Sequence, residues 1–279
     1  MAGLASSLGI LARVSFLPIC AMLAAYLVFS VGDRRLGARR ALWYAAGCVP
    51  GLLVQTALDL AHFGDIFQTG YHTAFDKGFS VPLAKGLWWN LASPYRSILL
   101  YAPAVAIFGF GIREFLRKRR AEARLVIVLI AYLFLVYSGW WAWHGGWCWG
   151  PRFLLPAIPL LVLPGLVAAA GRPRLAALAA VLGVAGLAVN LAGVLVNYTT
   201  AYDYWIKIGK LDWAEADIQQ FSPIWVHFKA LSATGPRLYD LWFVQAWRVA
   251  GWKMLWPGLG LLAVIYASAA YALRPARRT

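Results

Sequence analysis

Residues 125–149 read LVIVLIAYLFLVYSGWWAWHGGWCW. The first eighteen positions, 125–142, carry no charge, close to the ~20 apolar residues a helix needs to cross hydrocarbon. Charge stays absent as the stretch continues, but its chemistry changes. Five tryptophans fall within 140–149, beside His144, Gly145, Gly146 and Cys148. A span that empties into an aromatic loop sets a bilayer as the solvent for this part of the chain and gives a template for the rest.

Working outward, similar apolar runs occur near 14–31, 41–61, 97–112, 153–171, 175–197 and 252–272. The 279 residues are 62% hydrophobic and only 13% charged, with a mean hydropathy of +0.65. Water-soluble domains are about 45–50% apolar and 25% charged. Barrel strands are far shorter than these runs, so backbone hydrogen bonds must close within helices. The expectation is an all-α polytopic integral membrane protein of about seven transmembrane helices in a single domain. Residues 1–12 are apolar but too short to cross, and read as the end of a helix that began earlier. No basic region precedes them and no small-residue cleavage site follows, which argues against a secretory signal.

Charge sets the expected orientation. Arg34, Arg35, Arg39 and Arg40, six basic residues in 113–124, Arg172 with Arg174, and Arg274, Arg277 and Arg278 hold 15 of the 26 cations. Cytoplasmic loops carry such an excess. The segments between, 62–96, 143–152 and 198–251, carry most of the acids and are expected on the outer face. The C-terminus is then cytoplasmic. A net charge of +15 would otherwise suggest nucleic acid, but the cations sit in short loops at helix ends with no recognition motif. Nucleic acid is therefore not an expected partner, whereas anionic lipid headgroups are.

The three cysteines form neither a disulfide framework nor a metal-ligand pattern. Cys20 and Cys48 fall in helices, and Cys148 stands alone in an outer loop. No cofactor or metal motif is identified, and a divalent-metal requirement is left open. Asn197 to Thr199 is a sequon, relevant only in a eukaryotic secretory pathway.

The outer segments hold the chemistry. Segment 62–96 exceeds the length of an ordinary connector, and its aromatic content argues against disorder. Trp88 and Trp89 read as part of an interfacial helix. In 143–152 an aromatic belt explains some of the tryptophans, but five in ten residues exceed that need. Indole faces bind cations, and glycines let a backbone approach a ligand closely. Arg152 stands at a helix start, where a cation opposes the helix dipole. A bound phosphate or a partner carboxylate explains it better than helix stabilisation does, with snorkelling as the rival. Asp65 follows a glycine, which suits a turn residue. Asp59 lies near the end of a helix, at membrane depth or at its interface. Segment 198–251 reads as short amphipathic surface helices, and its acids Asp203, Asp212, Glu215, Asp217 and Asp240 as a solvated face.

Four stretches, GILARVSFLP (9–18), HFGDIFQTGY (62–71), NLASPYRSILLYAP (90–103) and WWAWHGGWCWGPRFLLPAIP (140–159), occur in an order that resembles the C-terminal part of bacterial GT-C membrane glycosyltransferases. These are the group related to protein mannosyltransferases and lipid A aminoarabinose transferases. The last two stretches are the most specific.

The resemblance implies an enzyme that passes a sugar from a polyprenyl-phosphate donor to an acceptor outside the membrane. It implies that Arg152 and Arg96 hold the lipid phosphate. Tyr71, Tyr95, Trp141, Trp143 and His144 then line the sugar or headgroup site. The family places its catalytic acid in a first outer loop that this chain does not show. The chain is thus expected to be the C-terminal portion of an enzyme, or to work with a partner chain that supplies the N-terminal half. The local candidate for a base is Asp65, with Asp76 and the acids of 198–251 behind it. A secondary transporter and a non-catalytic membrane scaffold are the alternative readings. The first would show internal repeats and broken central helices, and the second would not need the clustered Trp, Gly and Arg.

Overall fold

The computed structural model describes residues 1–68, 77–146, 148–197, 199–209 and 222–234, together with isolated positions beyond 255. Among the described residues there are α-helices and short 3-10 turns and no strand. The chain divides into two compact units, residues 1–186 and 187–279.

In the first unit, α1 (Ala2–Ala12), α2 (Leu17–Phe29) and α3 (Arg34–Phe63) pack closely together. Asp33 starts α3 by accepting from the N–H groups of Arg35 at 2.8 Å and Leu36 at 3.3 Å, and Gly64 ends it at φ 72°, as an N-cap and a left-handed C-cap do. Helices α1 and α3 run parallel, with Gly3 against Gly47 and Ser7 against Gly51. The contact is so close that a Cβ on Gly47 would lie 2.8 Å from Gly3 Cα. Ser7 donates to the Gly47 carbonyl at 2.8 Å and accepts from the Gly51 N–H at 3.0 Å. One hydroxyl therefore bridges the α3 backbone next to Pro50, which has no N–H to give. Small residues and a shared hydroxyl are how helices adhere where apolar contact alone gives no preference over lipid.

The chain continues through α4 (Leu83–Leu91), α5 (Ile98–Tyr101), α6 (Phe108–Lys118), α7 (Arg120–Gly139), α8 (Ala157–Ala169) and α9 (Pro173–Leu195). Among the described residues three helices are long and apolar enough to cross a membrane: α3, α7 and α9, with 30, 20 and 23 residues. They answer to the runs at 41–61, 125–142 and 175–197. The others differ from expectation for physical reasons. The run at 97–112 is not one helix. Pro103 lacks an N–H, Ala102 turns to φ −138°, ψ 66°, and a 3-10 turn (Pro103–Ile107) separates α5 from α6. The run at 153–171 shortens to the 13 residues of α8, because Pro151 and Pro156 bracket a 3-10 turn at Arg152–Leu154. The run at 14–31 is a 3-10 turn followed by α2. Residues 252–272 fall almost wholly outside the described residues.

Two ends of the first unit can be told apart. Glu114 pairs with Lys118 at 2.6 Å and with Arg172 at 2.9 Å. The end of α6 and the α8–α9 turn are therefore at one end, together with the start of α7; we call this the basic end. At the opposite, aromatic end Ser15 meets Tyr137 near the end of α7 (2.7 Å). Between the ends lies a core of Ile98, Val105, Leu133, Phe134, Tyr137, Phe153 and Leu154.

The second unit contributes α10 (Thr199–Lys207) and α11 (Pro223–Thr234). Lys229 Nζ sits 4.9 Å from the Trp225 ring centroid and 5.7 Å from that of Tyr204, a cation over two aromatic faces.

Candidate functional site

The aromatic loop after α7 is folded around Arg96. Its guanidinium donates to the carbonyl of His144, to Cys148 Sγ at 2.8 Å, to the Gly150 carbonyl at 3.2 Å and to the Gly146 carbonyl at 2.8 Å. Its side chain is buried, 1% exposed. A planar fork with five donors suits several acceptors at once, which an ammonium does not. Gly145 and Gly146 both take positive φ, 72° and 74°, so the loop curls its carbonyls inward in a conformation other residues resist. Gly150 also has positive φ, and a Cβ there would meet the Tyr101 ring at 2.8 Å. The Tyr101 hydroxyl donates to the Tyr95 carbonyl at 3.1 Å, locking the segment that carries Arg96.

Aromatic rings complete the support. Trp143 stacks on Trp89 of α4 with centroids 4.4 Å apart, and Tyr95 meets it edge-on at 5.9 Å. Lys85 Nζ lies 4.8 Å from the Trp89 centroid. The Trp141 N–H donates to Gly78 O at 2.9 Å, and the Val81 N–H to Gly139 O at 3.2 Å. Segment 77–82 is thereby laced to the end of α7. Trp143 and Tyr95 are buried, whereas Trp141 and His144 are half-buried.

His144 accepts from the Gly146 N–H through Nδ1 at 3.0 Å, which requires the neutral ring to carry its proton on Nε2. Burial, and next to it the Arg96 charge, push its pKa down to about 4. A folded pKa below the unfolded value of about 6.5 means that the unfolded chain binds the extra proton. Stability is present above pH 6.5 and is lost as pH falls from 6.5 toward 4. Thermal midpoints followed by tryptophan fluorescence are expected to drop across that window, and His144→Gln to flatten the drop.

The exposed chemistry lies just beyond the loop, where two guanidinium groups approach one ring. Arg152 is exposed and its guanidinium carbon is 5.5 Å from the Phe153 centroid. Arg13, in the link between α1 and α2, is 4.3 Å from the same centroid and 4.9 Å from that of Tyr137. Tyr137 and Phe153 stack at 4.9 Å. Tyr132 donates to Ser15 O at 2.8 Å and Ser15 Oγ bonds the Tyr137 hydroxyl, so the Arg13 turn is tied to α7. A Cβ on Gly145 would lie 3.5 Å from Arg152 Cβ, which puts this glycine beside the base of the Arg152 side chain. Neither Arg13 nor Arg152 has an ion-pair partner among the described residues. Two like charges held about one ring repel, and a shared anion relieves that repulsion.

Arg13 was not singled out in the sequence. Its signal is a lone cation within an apolar stretch, 9–18. The structure distributes the other sequence candidates differently. Arg152, Trp141 and His144 belong to the accessible part, while Arg96, Tyr95 and Trp143 form its support. Asp65 is exposed and accepts from the Phe67 N–H at 2.9 Å, a turn-forming role. Asp59 is buried, and Gln55 Nε2 donates to it at 3.0 Å. Tyr71, Asp76, Asp212, Glu215, Asp217 and Asp240 lie outside the described residues. Among the described residues no three His, Cys, Asp or Glu side chains gather as metal ligands.

Beneath α4, Leu87, Leu91, Ile98, Leu99, Val105, Phe108, Ile130, Phe134 and Leu161 line an almost wholly apolar groove of about 330 Å³. Searches against protein-family models, curated proteins and solved structures find no match to this chain.

Proposed function

We propose that the chain is a membrane glycosyltransferase, or the C-terminal portion of one, that takes a sugar from a polyprenyl-phosphate donor and delivers it to an acceptor on the outer face. The observation that carries this reading is the Arg13–Phe153–Arg152 constellation, two cations without an ion-pair partner among the described residues, beside a glycine- and tryptophan-rich loop. A lipid phosphate is the ligand we assign to these guanidinium groups, since each presents a fork matched to phosphate oxygens. We assign the sugar to the half-buried Trp141 and His144 of the neighbouring loop. The groove under α4 offers the prenyl chain an apolar path. In this reading the two cations stabilise the phosphate as it leaves. The base that deprotonates the acceptor lies among Asp65, Asp76, the acids of 198–251 or a partner chain that completes the enzyme. The site then faces the outside of a bacterial inner or plasma membrane, with the C-terminus in the cytoplasm.

The test is sugar transfer, and in parallel donor binding, by the purified chain in liposomes supplied with radiolabelled polyprenyl-phosphate sugars. Arg152→Ala and Arg13→Ala are each expected to weaken donor binding about 10- to 100-fold, the scale of one charged hydrogen-bonding partner. Binding without transfer identifies the chain as the donor-binding part of a larger enzyme. Donor binding that both variants leave intact overturns the reading.

Buried Asp59, on a helix that also contains Pro50, favours a transporter as the second reading, since intramembrane carboxylates mark ion pathways. Substrate flux in the same liposomes, lost in Asp59→Asn and without any sugar transfer, would support it.

A further inference from the structure

At the basic end, away from the site above, α2 and the first turns of α7 leave a groove of about 270 Å³ between them. Met22, Ala25, Phe29, Leu125 and Val128 form its apolar walls, and Tyr26, Ser30 and Arg124 are also among its lining residues. Arg124 is exposed and has no ion-pair partner among the described residues. Glu114, near the end of α6, is shared by Lys118 and Arg172, and Glu122, two positions before Arg124 in the first turn of α7, forms no ion pair with it. The neighbouring sequence adds Arg119 and Arg120 on one side and Arg34 and Arg35 on the other.

We infer that this groove holds an acyl chain of an anionic glycerophospholipid, with the lipid phosphate at Arg124. Three features select that occupant. The walls are apolar and fit a hydrocarbon tail, and the volume falls below the roughly 300–1,000 Å³ of drug-sized ligand sites. Arg124 stands at α7's fifth residue, and Ser30 directly follows the last residue of α2. The polar groups therefore occupy the helix ends, where headgroups lie, while the walls continue toward the helix middles. A guanidinium matches a phosphodiester, and the surrounding cations disfavour a headgroup with a compensating positive charge. The inference rests on the chain being membrane-embedded but not on its being a transferase.

Methionine placement allows a local readout, because the chain has only three methionines: Met1, Met22 and Met254. The full chain, made with a diazirine analogue of methionine, would be placed in vesicles of equimolar phosphatidylglycerol and phosphatidylcholine. After irradiation, the lipid adducts at each position are identified by mass spectrometry. Met22 lines the groove, and the fully exposed Met1 is the internal reference. The expected ratio of phosphatidylglycerol to phosphatidylcholine adducts at Met22 is about fivefold that at Met1, the contribution of one juxtamembrane cation. Arg124→Gln should return it to the Met1 ratio, and Ala25→Leu should reduce all lipid adducts at Met22. Equal ratios in the wild-type chain, a preference that survives Arg124→Gln, or protein–protein adducts at Met22 in place of lipid each overturn the inference. Loss of sugar transfer leaves it standing.

Discussion

Arg96→Met is expected to release the aromatic loop and to lower the thermal midpoint of the purified chain by about 10 °C, taking 2–4 °C per kcal/mol for a chain of this size. Two effects compete. Burying a guanidinium costs several kcal/mol, so its removal relieves something. Against this, the carbonyls of His144, Gly146 and Gly150 and the sulfur of Cys148 all turn toward Arg96. Each buried acceptor left without a donor costs about 1–3 kcal/mol. Gly146 O keeps the Cys148 N–H and Gly150 O keeps the Arg152 N–H, so the loss falls mainly on the His144 carbonyl and Cys148 Sγ. With the charge-assisted bonds gone the second effect still wins, and a net loss of about 3 kcal/mol follows. Arg96→Lys should recover only part of the loss, because an ammonium lacks the planar fork. Thermal aggregation in detergent together with a red shift of tryptophan emission would measure it. A midpoint that rises in Arg96→Met would mean that the charge is retained for a ligand and not for the loop.

The second large effect is expected at Gly111. A Cβ on Gly111 of α6 would run into the backbone carbonyl of Pro164 on α8. Gly165, the next residue, is also tight, since a Cβ there would meet Ile107 Cγ1 at 2.3 Å and Ile107 O at 2.6 Å. Neither neighbour is the flexible end of a side chain, so the helices themselves must separate. Gly111→Ala gains about 1 kcal/mol in helix propensity, yet it should abolish most folded protein in size-exclusion chromatography. Gly109→Ala is the control, since its Cβ would meet nothing within 4 Å. Equal yields for the two variants would refute the close α6–α8 contact.

The sequence made some of this legible and hid the rest for identifiable reasons. The runs at 41–61, 125–142 and 175–197 declare α3, α7 and α9, because each holds eighteen or more consecutive uncharged residues, which leave the backbone few options but a helix. Hydropathy alone joins 97–112 into one segment, although Pro103 inside it already argues for the break that the structure has. Arg152 was recognisable by its charge at a helix start. The role of Arg96 was not, since three of its four partners are backbone carbonyls 48 to 54 residues away and a carbonyl leaves no mark in the sequence. Trp143 and Tyr95 look like ligand-facing aromatics in a loop, and only tertiary packing puts them beneath Trp89. Arg13 escaped because a single cation in an apolar stretch looks like the punctuation between two helices.

Arg96 also imposes an order on biogenesis. It leaves the ribosome before the loop it will hold, and at about 5–20 residues per second the acceptors follow some seconds later. Until α7 has been made and inserted, the guanidinium has no carbonyl cradle and must remain solvated. The segment from α4 to α5 therefore cannot settle when it is synthesised. It has to wait in a provisional, hydrated state, and the aromatic end of the first unit closes only after residue 150 has emerged.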